Sequence, residues 1–189
     1  NEFPELEYRI IEADFLKMDL RSIFPGSYGI AGNFPYNISS QIFFRILEFR
    51  QQVPSVVCMV QQEVASRIVS PPGSRTYGIL SVLLQAYFKT EMLFSVKAGS
   101  FFPPPRVTSA VMRLTRNQTR SLPCDEDLFF KVVKSTFNQR RKMIRNSIKS
   151  ILLNLDKDFY LLSRRPEQLG VAEFIELTDW VESQLRKEP

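Results

Sequence analysis

The sequence contains no histidine and only two cysteines, Cys58 and Cys124, among 189 residues. Without histidine, Ser-His-Asp catalysis, acid–base chemistry on an imidazole and most zinc sites are excluded. Cys58 lies in an apolar run, far along the chain from Cys124, which favours a buried small side chain over a metal ligand. We therefore expect a reduced, cytoplasmic protein that holds no metal.

Long hydrophobic runs are also missing. No apolar stretch is long enough to cross a membrane, and no signal peptide is visible, so no membrane partner is expected. The length suits one domain, or one domain with a small appendage. A hydrophobic content of 44% with 16 phenylalanines can build a real core. The net charge of +5 is compatible with nucleic acid but is weak evidence alone.

Strand and helix patterns alternate in the first 115 residues. The predicted strands are 7–14, 28–32, 54–60, 90–97 and 109–115, and the predicted helices are 39–50, 61–69 and 77–88. Two strands without a helix between them close the series. This order predicts an α/β fold with a mostly parallel sheet and an antiparallel edge.

The rest of the chain reads as a second, all-helical domain. Residues 116–124 are polar, contain Pro123 and are interpreted as a linker, which leaves 1–115 and 125–189 as the two domains. Two apolar stripes at helical spacing follow the linker. They comprise Leu128, Phe129, Val132, Val133, Thr136 and Phe137, and then Ile144, Ile148, Ile151 and Leu152. A helix start at 165–169 and a last helix over 173–185 complete the prediction.

The segment Gly32-Asn33-Phe34-Pro35-Tyr36-Asn37-Ile38-Ser39 ends the predicted strand 28–32. Ligands of open α/β sheets bind beyond the carboxyl ends of strands. The amide oxygen of Asn33 and the carbonyl of Pro35 could accept hydrogen bonds from an amino group on a planar ring, and Tyr36 could stack on that ring. A strand-to-helix turn, with Asn37, Ser39 or Ser40 as the helix cap, is an equally simple interpretation.

Two further stretches carry weaker signals. Asp14 ends the predicted strand 7–14 and could bind a nucleoside amino group, although a turn or helix cap is the commoner role. Phe101 precedes Pro103-Pro104-Pro105, which forbids helix and favours a stiff extended segment. Phe101 could close the other face of a flipped base, or the segment could be a structural connection.

Basic residues cluster between Leu128 and Leu155, where seven occur without any acidic residue. The candidates for contact with RNA are Arg140, Arg141, Lys142, Arg145 and Lys149. Like charges at this density repel one another unless an anion neutralises them, and a phosphate backbone is the natural anion. A solvated helix face is the alternative.

Taken together, these motifs resemble the ribosomal RNA adenine dimethyltransferases of the bacterial small-subunit type. The resemblance rests on Asp14, on 32–39, on 61–68 (QQEVASRI), on 77–82 (YGILSV), on Phe101-x-Pro-Pro-Pro-x-Val-x-Ser109, and on 137–142 (FNQRRK) with 145–147 (RNS). It covers nearly the whole chain in the correct order. It implies a Rossmann-like class I methyltransferase sheet followed by a small helical RNA-binding domain.

The resemblance also implies a reaction. S-adenosyl-L-methionine would donate methyl groups to two adjacent adenosines near the 3′ end of 16S rRNA, in an immature 30S subunit. Asn33, Pro35 and Tyr36 would orient and stack the target adenine, and Phe101 would cover its other face. Asp14 would contact the adenine of the cofactor, beside Asn33. Phe34 stands where leucine or isoleucine is usual, and we expect it to be tolerated.

The sequence departs from the family pattern at its start. The Gly-rich loop and the ribose-binding acid of the family are not among these residues, and the chain begins at about the family's fourth strand. We therefore expect a piece of a longer protein that by itself binds the cofactor poorly, is inactive and leaves a strand edge open. Two other functions remain open: a non-catalytic rRNA-binding or ribosome-assembly module, and a large-subunit rRNA methyltransferase of the antibiotic-resistance type.

Overall fold

A computed structural model describes residues 9–152 and 158–187. The helices are α1 (Leu20–Ile23), α2 (Ser39–Glu48), α3 (Gln62–Val69), α4 (Ile79–Gln85), α5 (Glu126–Asn138), α6 (Ile144–Ser147) and α7 (Val171–Leu185). The strands are β1 (Ile30–Asn33), β2 (Ser55–Gln61), β3 (Phe88–Val96) and β4 (Ser109–Arg116). Short 3₁₀ turns lie at Ala98–Ser100, Ile148–Ser150, Tyr160–Ser163 and Pro166–Gln168.

The strands form one mixed sheet in the order β1-β2-β4-β3. β1 pairs with β2 in parallel, and β4 runs antiparallel to both β2 and β3. Apolar residues at every second position of β2 are buried, including Val56, Cys58 and Val60. They pack with Phe43 and Ile46 of α2 in the core. The predicted α/β class is therefore confirmed. The predicted mostly parallel sheet with an antiparallel edge is wrong for the described strands: only β1 and β2 pair in parallel, and the antiparallel strand β4 lies inside the sheet.

The prediction of a strand over 7–14 is wrong for the residues of that range that the structure describes. Residues 7 and 8 lie outside the described residues, and residues 9–14 form no strand. Ile10 and Ile11 are 69% and 53% exposed, because no other described strand lies beside them. An alternating apolar pattern stabilises a strand only where a neighbour accepts its hydrogen bonds and covers its apolar face.

The second predicted strand forms two residues later than expected, at Ile30–Asn33, and it is not buried. β1 is an edge strand of the described sheet, so Ala31, Gly32 and Asn33 are exposed. The helix that follows begins at Ser39 after Ile38, with no side-chain cap. The predicted caps are therefore wrong. Instead, the Ser39 hydroxyl donates a hydrogen bond to the backbone carbonyl of Tyr36 at 3.2 Å. This bond stabilises the turn between β1 and α2.

The C-terminal part is helical, as predicted. α5 begins after Asp125, whose carboxylate accepts the backbone N–H of Leu128 at 2.7 Å, and its predicted apolar stripe is largely buried. The second stripe lies on α6 and a 3₁₀ turn. The predicted helix start at 165–169 is only a 3₁₀ turn, and the last helix starts earlier, at Val171.

The segment 116–124 is hydrogen-bonded to the turn between α4 and β3. Asn117 donates to the carbonyls of Tyr87 and Ala86 at 3.0 and 3.1 Å. Across the predicted domain boundary, Phe137 of α5 packs between Tyr77 and Phe174, with ring centroids 6.1 and 5.8 Å apart. The division into two domains stays a prediction.

Candidate active site and nucleic-acid interface

One cavity brings together the two aromatic and proline-rich segments singled out in the sequence. It has a volume of about 360 Å³. Its wall consists of Asn33, Phe34, Pro35, Tyr36, Phe101, Phe102, Pro103 and Pro105. Two segments almost 70 residues apart in the sequence therefore face one space, at the carboxyl end of β1. This is the position at which open α/β sheets bind ligands.

Phe34 anchors the first segment. Its backbone N–H donates to the carbonyl of Met59 at 3.0 Å, which extends the pairing of β1 with β2 by one residue. Its side chain is buried and meets Phe43 edge-on, with ring centroids 5.6 Å apart. Because Phe34 points into the core, its neighbours Asn33 and Pro35 are left on the exposed side of the chain.

The two predicted hydrogen-bond acceptors are available. The side-chain amide of Asn33 makes no hydrogen bond to any other residue that the structure describes. The carbonyl of Pro35 accepts the backbone N–H of Ile38 at 3.2 Å. A carbonyl oxygen has two lone pairs, so Pro35 can accept a second hydrogen bond.

Tyr36 is held in place by Ser109. Their hydroxyl groups form a short hydrogen bond, and Ser109, the first residue of β4, is completely buried. The bond fixes the tip of the ring to the sheet. Ser109 belongs to the late motif of the sequence, but its role as the support of Tyr36 was not predicted. It depends on contact between residues 73 positions apart.

The second segment contributes Phe101, which is partly buried, and Phe102, which is fully exposed. The peptide bond between Phe102 and Pro103 is cis. The structure places Phe101 in the same cavity wall as Tyr36. Whether these rings enclose a base stays a prediction.

Asp14 does not line this cavity. Its carboxylate accepts the backbone N–H of Leu16 at 3.0 Å and lies 3.7 Å from the ammonium of Lys17. Its carbonyl accepts the N–H groups of Lys17 and Met18. Asp14 therefore organises a turn, which was the structural alternative. Its carboxylate is still half exposed and could accept another hydrogen bond.

The predicted RNA-binding residues divide among three places. Arg140 donates to the carbonyl of Ser74 at 3.2 Å and lines a cavity of about 470 Å³ together with Arg67 and Arg75. Arg141 and Lys142 are exposed between α5 and α6. Sequence reasoning missed Arg67 and Arg75 as neighbours of Arg140, since they lie in other elements and no local pattern links them.

Arg145 and Lys149 line a separate cavity of about 490 Å³. They lie on α6 and the 3₁₀ turn after it, where Ile144 and Ile148 are buried in the core. The predicted RNA-binding residues therefore line two different cavities, with Arg141 and Lys142 exposed between them in the sequence.

These motifs and this fold match a known family. The model of the family described as "Ribosomal RNA adenine dimethylase" matches residues 2–166. The chain belongs to this family.

Bacterial relatives are similar over almost the whole chain. A protein of Bacteroides thetaiotaomicron named "Ribosomal RNA small subunit methyltransferase A" is 57% identical over 97% of this chain and 70% of its own length. A protein of the same name from Cytophaga hutchinsonii is 52% identical over 94% of this chain and 69% of its own length.

Two solved structures share the fold. A dimethyladenosine transferase from Plasmodium falciparum superposes with a TM-score of 0.74, at 20% identity, over 95% of this chain and 76% of that chain. The 23S rRNA methyltransferase ErmE has a TM-score of 0.63 at 23% identity, over 94% and 76%. Identities this low establish the fold alone.

Within residues 9–152 and 158–187, no three His, Cys, Asp or Glu side chains gather as a possible metal site. No helix in the described part of the chain is both long and apolar enough to span a bilayer.

Proposed function

We propose that this protein dimethylates two adjacent adenosines near the 3′ end of small-subunit rRNA, using S-adenosyl-L-methionine. The observation that carries the proposal is the shared cavity of Asn33, Pro35, Tyr36 and Phe101. Its wall offers the side-chain amide of Asn33, free among the described residues, and the Pro35 carbonyl, which can accept a second hydrogen bond, beside two aromatic rings. An amino group on a planar base requires this combination.

The exocyclic nitrogen of adenine is a weak nucleophile because its lone pair is delocalised into the ring. The amide oxygen of Asn33 and the carbonyl oxygen of Pro35 accept hydrogen bonds from its two N–H groups and favour a tetrahedral nitrogen, whose lone pair is localised on the nitrogen and directed at the methyl group. Tyr36, held by Ser109, stacks on the base, and Phe101 covers the opposite face. The adenosine must leave its stack to enter such a site.

The residues present fit the cofactor in part. Asn33 has an exposed amide at the end of β1, and Asp14 keeps a half-exposed carboxylate. Both could accept hydrogen bonds from the cofactor, Asn33 from its reacting end and Asp14 from its adenine amino group. Bound S-adenosyl-L-methionine supplies a methyl group that is already activated on a sulfonium. The protein therefore needs no histidine or metal, and positioning provides most of the rate enhancement.

Small-subunit rRNA is the proposed substrate because the similar bacterial proteins, at 52–57% identity, carry that substrate in their names. Contact with the RNA is assigned to Arg140, Arg141, Lys142, Arg145 and Lys149. Their positive charge suits the phosphate backbone of an immature 30S subunit. The proposed site of action is the cytoplasm.

The deciding experiment maps dimethyladenosine by mass spectrometry in ribosomal RNA. The protein as its gene encodes it is expressed in a bacterium that lacks its own small-subunit enzyme. We expect two adjacent dimethyladenosines in 16S rRNA and none in 23S rRNA. Modification of 23S rRNA would instead establish the large-subunit activity. Binding to 30S subunits with no modification would establish a non-catalytic assembly factor.

A further inference from the structure

The cavity beside Arg145 and Lys149 is distinct from the cavity at the end of β1. Its volume of about 490 Å³ falls within the range of small-molecule sites, roughly 300–1,000 Å³. The residues that define its chemistry are Arg145, Asn146, Lys149, Asp158, Phe159 and Tyr160. We call it the Tyr160 cavity.

Among the residues that the structure describes, the two cations of the Tyr160 cavity have no ion-pair partner. Arg145 and Lys149 are four residues apart, and both are exposed. Neither forms an ion pair within residues 9–152 and 158–187, although the carboxylate of Asp158 also lines the cavity. Burial of Ile144 and Ile148 fixes the backbone that carries them. Two like charges at this spacing repel each other, so an anion between them is stabilising.

The aromatic wall is supported from behind. Tyr160 is 57% exposed, and its hydroxyl donates to Glu176 at 2.7 Å. This hydrogen bond to Glu176 raises the pKa of Tyr160. Phe159 meets Tyr160 edge-on at 5.3 Å and stacks on Trp180 at 4.9 Å with an interplanar angle of 4°. The ring is thus available to a ligand and held in a fixed direction.

We infer that the Tyr160 cavity binds one unpaired nucleotide of the RNA substrate, away from the adenosine that is methylated. Tyr160 stacks on the base, the exposed amide of Asn146 hydrogen-bonds to its edge, and Arg145 and Lys149 contact the flanking phosphates. Stacking on aromatic side chains beside cations is the chemistry of single-stranded RNA recognition. A duplex keeps its bases stacked and could use only the cations. The inference rests on the proposed function for the identity of the RNA.

Fluorescence anisotropy with a short, labelled single-stranded oligoribonucleotide tests the site. Tyr160→Ala should weaken binding about tenfold, and Tyr160→Phe, which keeps the ring, should stay within about twofold of wild type. Removing both cations, in Arg145→Ala with Lys149→Ala, should lower the slope of log affinity against log salt by about 1.4. Lys187→Ala removes one exposed cation outside the Tyr160 cavity and is the control.

Trp180 gives a second readout, because it is the single tryptophan of the chain and stacks behind Tyr160 through Phe159. Its fluorescence should change when the single strand binds and should stay constant with a duplex of the same sequence. If Tyr160→Ala does not fold, as judged by thermal unfolding, Tyr160→Leu takes its place. The double cation variant alters only exposed side chains and remains a test in either case.

The inference is overturned if Tyr160→Ala or its leucine substitute binds like wild type, or if the double variant behaves like Lys187→Ala. If 16S rRNA is methylated while these variants bind RNA like wild type, the proposed function is supported and the inference about the Tyr160 cavity is refuted. Conversely, a loss of single-strand binding in these variants, in a protein that methylates no rRNA, would support the cavity and refute the proposed function.

Discussion

Arg50 and Glu126 form an ion pair that joins the chain just after α2 to the first residue of α5. Glu126 also accepts the hydroxyl of Tyr87 at 2.9 Å and the backbone N–H of Leu122 at 3.0 Å. The guanidinium of Arg50 lies over the ring of Tyr87, 4.5 Å from its centroid. One carboxylate therefore links the end of α2, the turn before β3, the segment 116–124 and α5.

Replacing Glu126 with alanine should lower the free energy of unfolding by about 2–3 kcal/mol, because it leaves Arg50 and the Tyr87 hydroxyl without their acceptor. Urea unfolding measures this loss. The control is Glu182→Ala, which removes an ion pair with an Arg186 that is 77% exposed. The control should cost under about 1 kcal/mol. An equal decrease in the free energy of unfolding of the two variants would show that the contacts of Glu126 stabilise the fold no more than an exposed ion pair does.

In the protein as its gene encodes it, Asn33→Ala should reduce methylation at least about a hundredfold, because it removes an acceptor that acts on the reacting nitrogen. Affinity for 30S subunits should change less than about twofold, since Asn33 carries no charge. The two quantities are measured by methyl incorporation and by filter binding. Gln41→Ala, which removes an exposed amide from the first turn of α2, is the control. A parallel loss of binding and methylation would argue against the assigned role.

The exposed pair Arg141 and Lys142 should act on affinity and not on chemistry. Replacing both with alanine should lower the salt slope of RNA binding by about 1.4. At saturating RNA, the methylation rate should stay close to that of wild type. The adjacent exposed cations Arg186 and Lys187 provide a matched double variant. An unchanged slope would place the RNA elsewhere on the protein.

Both thiols should react slowly in the folded protein. Burial raises the pKa of Cys58 to about 12 and that of Cys124 to about 11. A raised pKa favours the unreactive thiol, so at pH 8 only about one Cys124 in a thousand is a thiolate. Its reaction rate with a disulfide reagent should rise about tenfold for each pH unit between 7 and 10. Cys58 should react only in urea. Rapid labelling of Cys58 in the native protein would contradict its burial.

Sequence patterns identified the local structure well, because helices and strands reveal themselves through the spacing of apolar residues. β2, β3, β4, α2 and α3 form within two residues of their predicted ranges. The Asn33–Tyr36 motif was also visible, since an amide, a proline and an aromatic ring stand together in the sequence. The strand predicted over 7–14 shows the limit of this reasoning. Its pattern is suitable, but a strand also requires a neighbour.

Tertiary structure decided which distant residues meet. The pairing of β4 with β2 and β3 brings Ser109 under Tyr36, and the folding of the segment after β3 places Phe101 in the same cavity as Asn33. Arg145 and Lys149 line one cavity, and Arg140 lines another with Arg67 and Arg75. By itself the sequence determined the elements and the chemical groups they carry. Only packing between elements far apart in the chain decided which of those groups share a site.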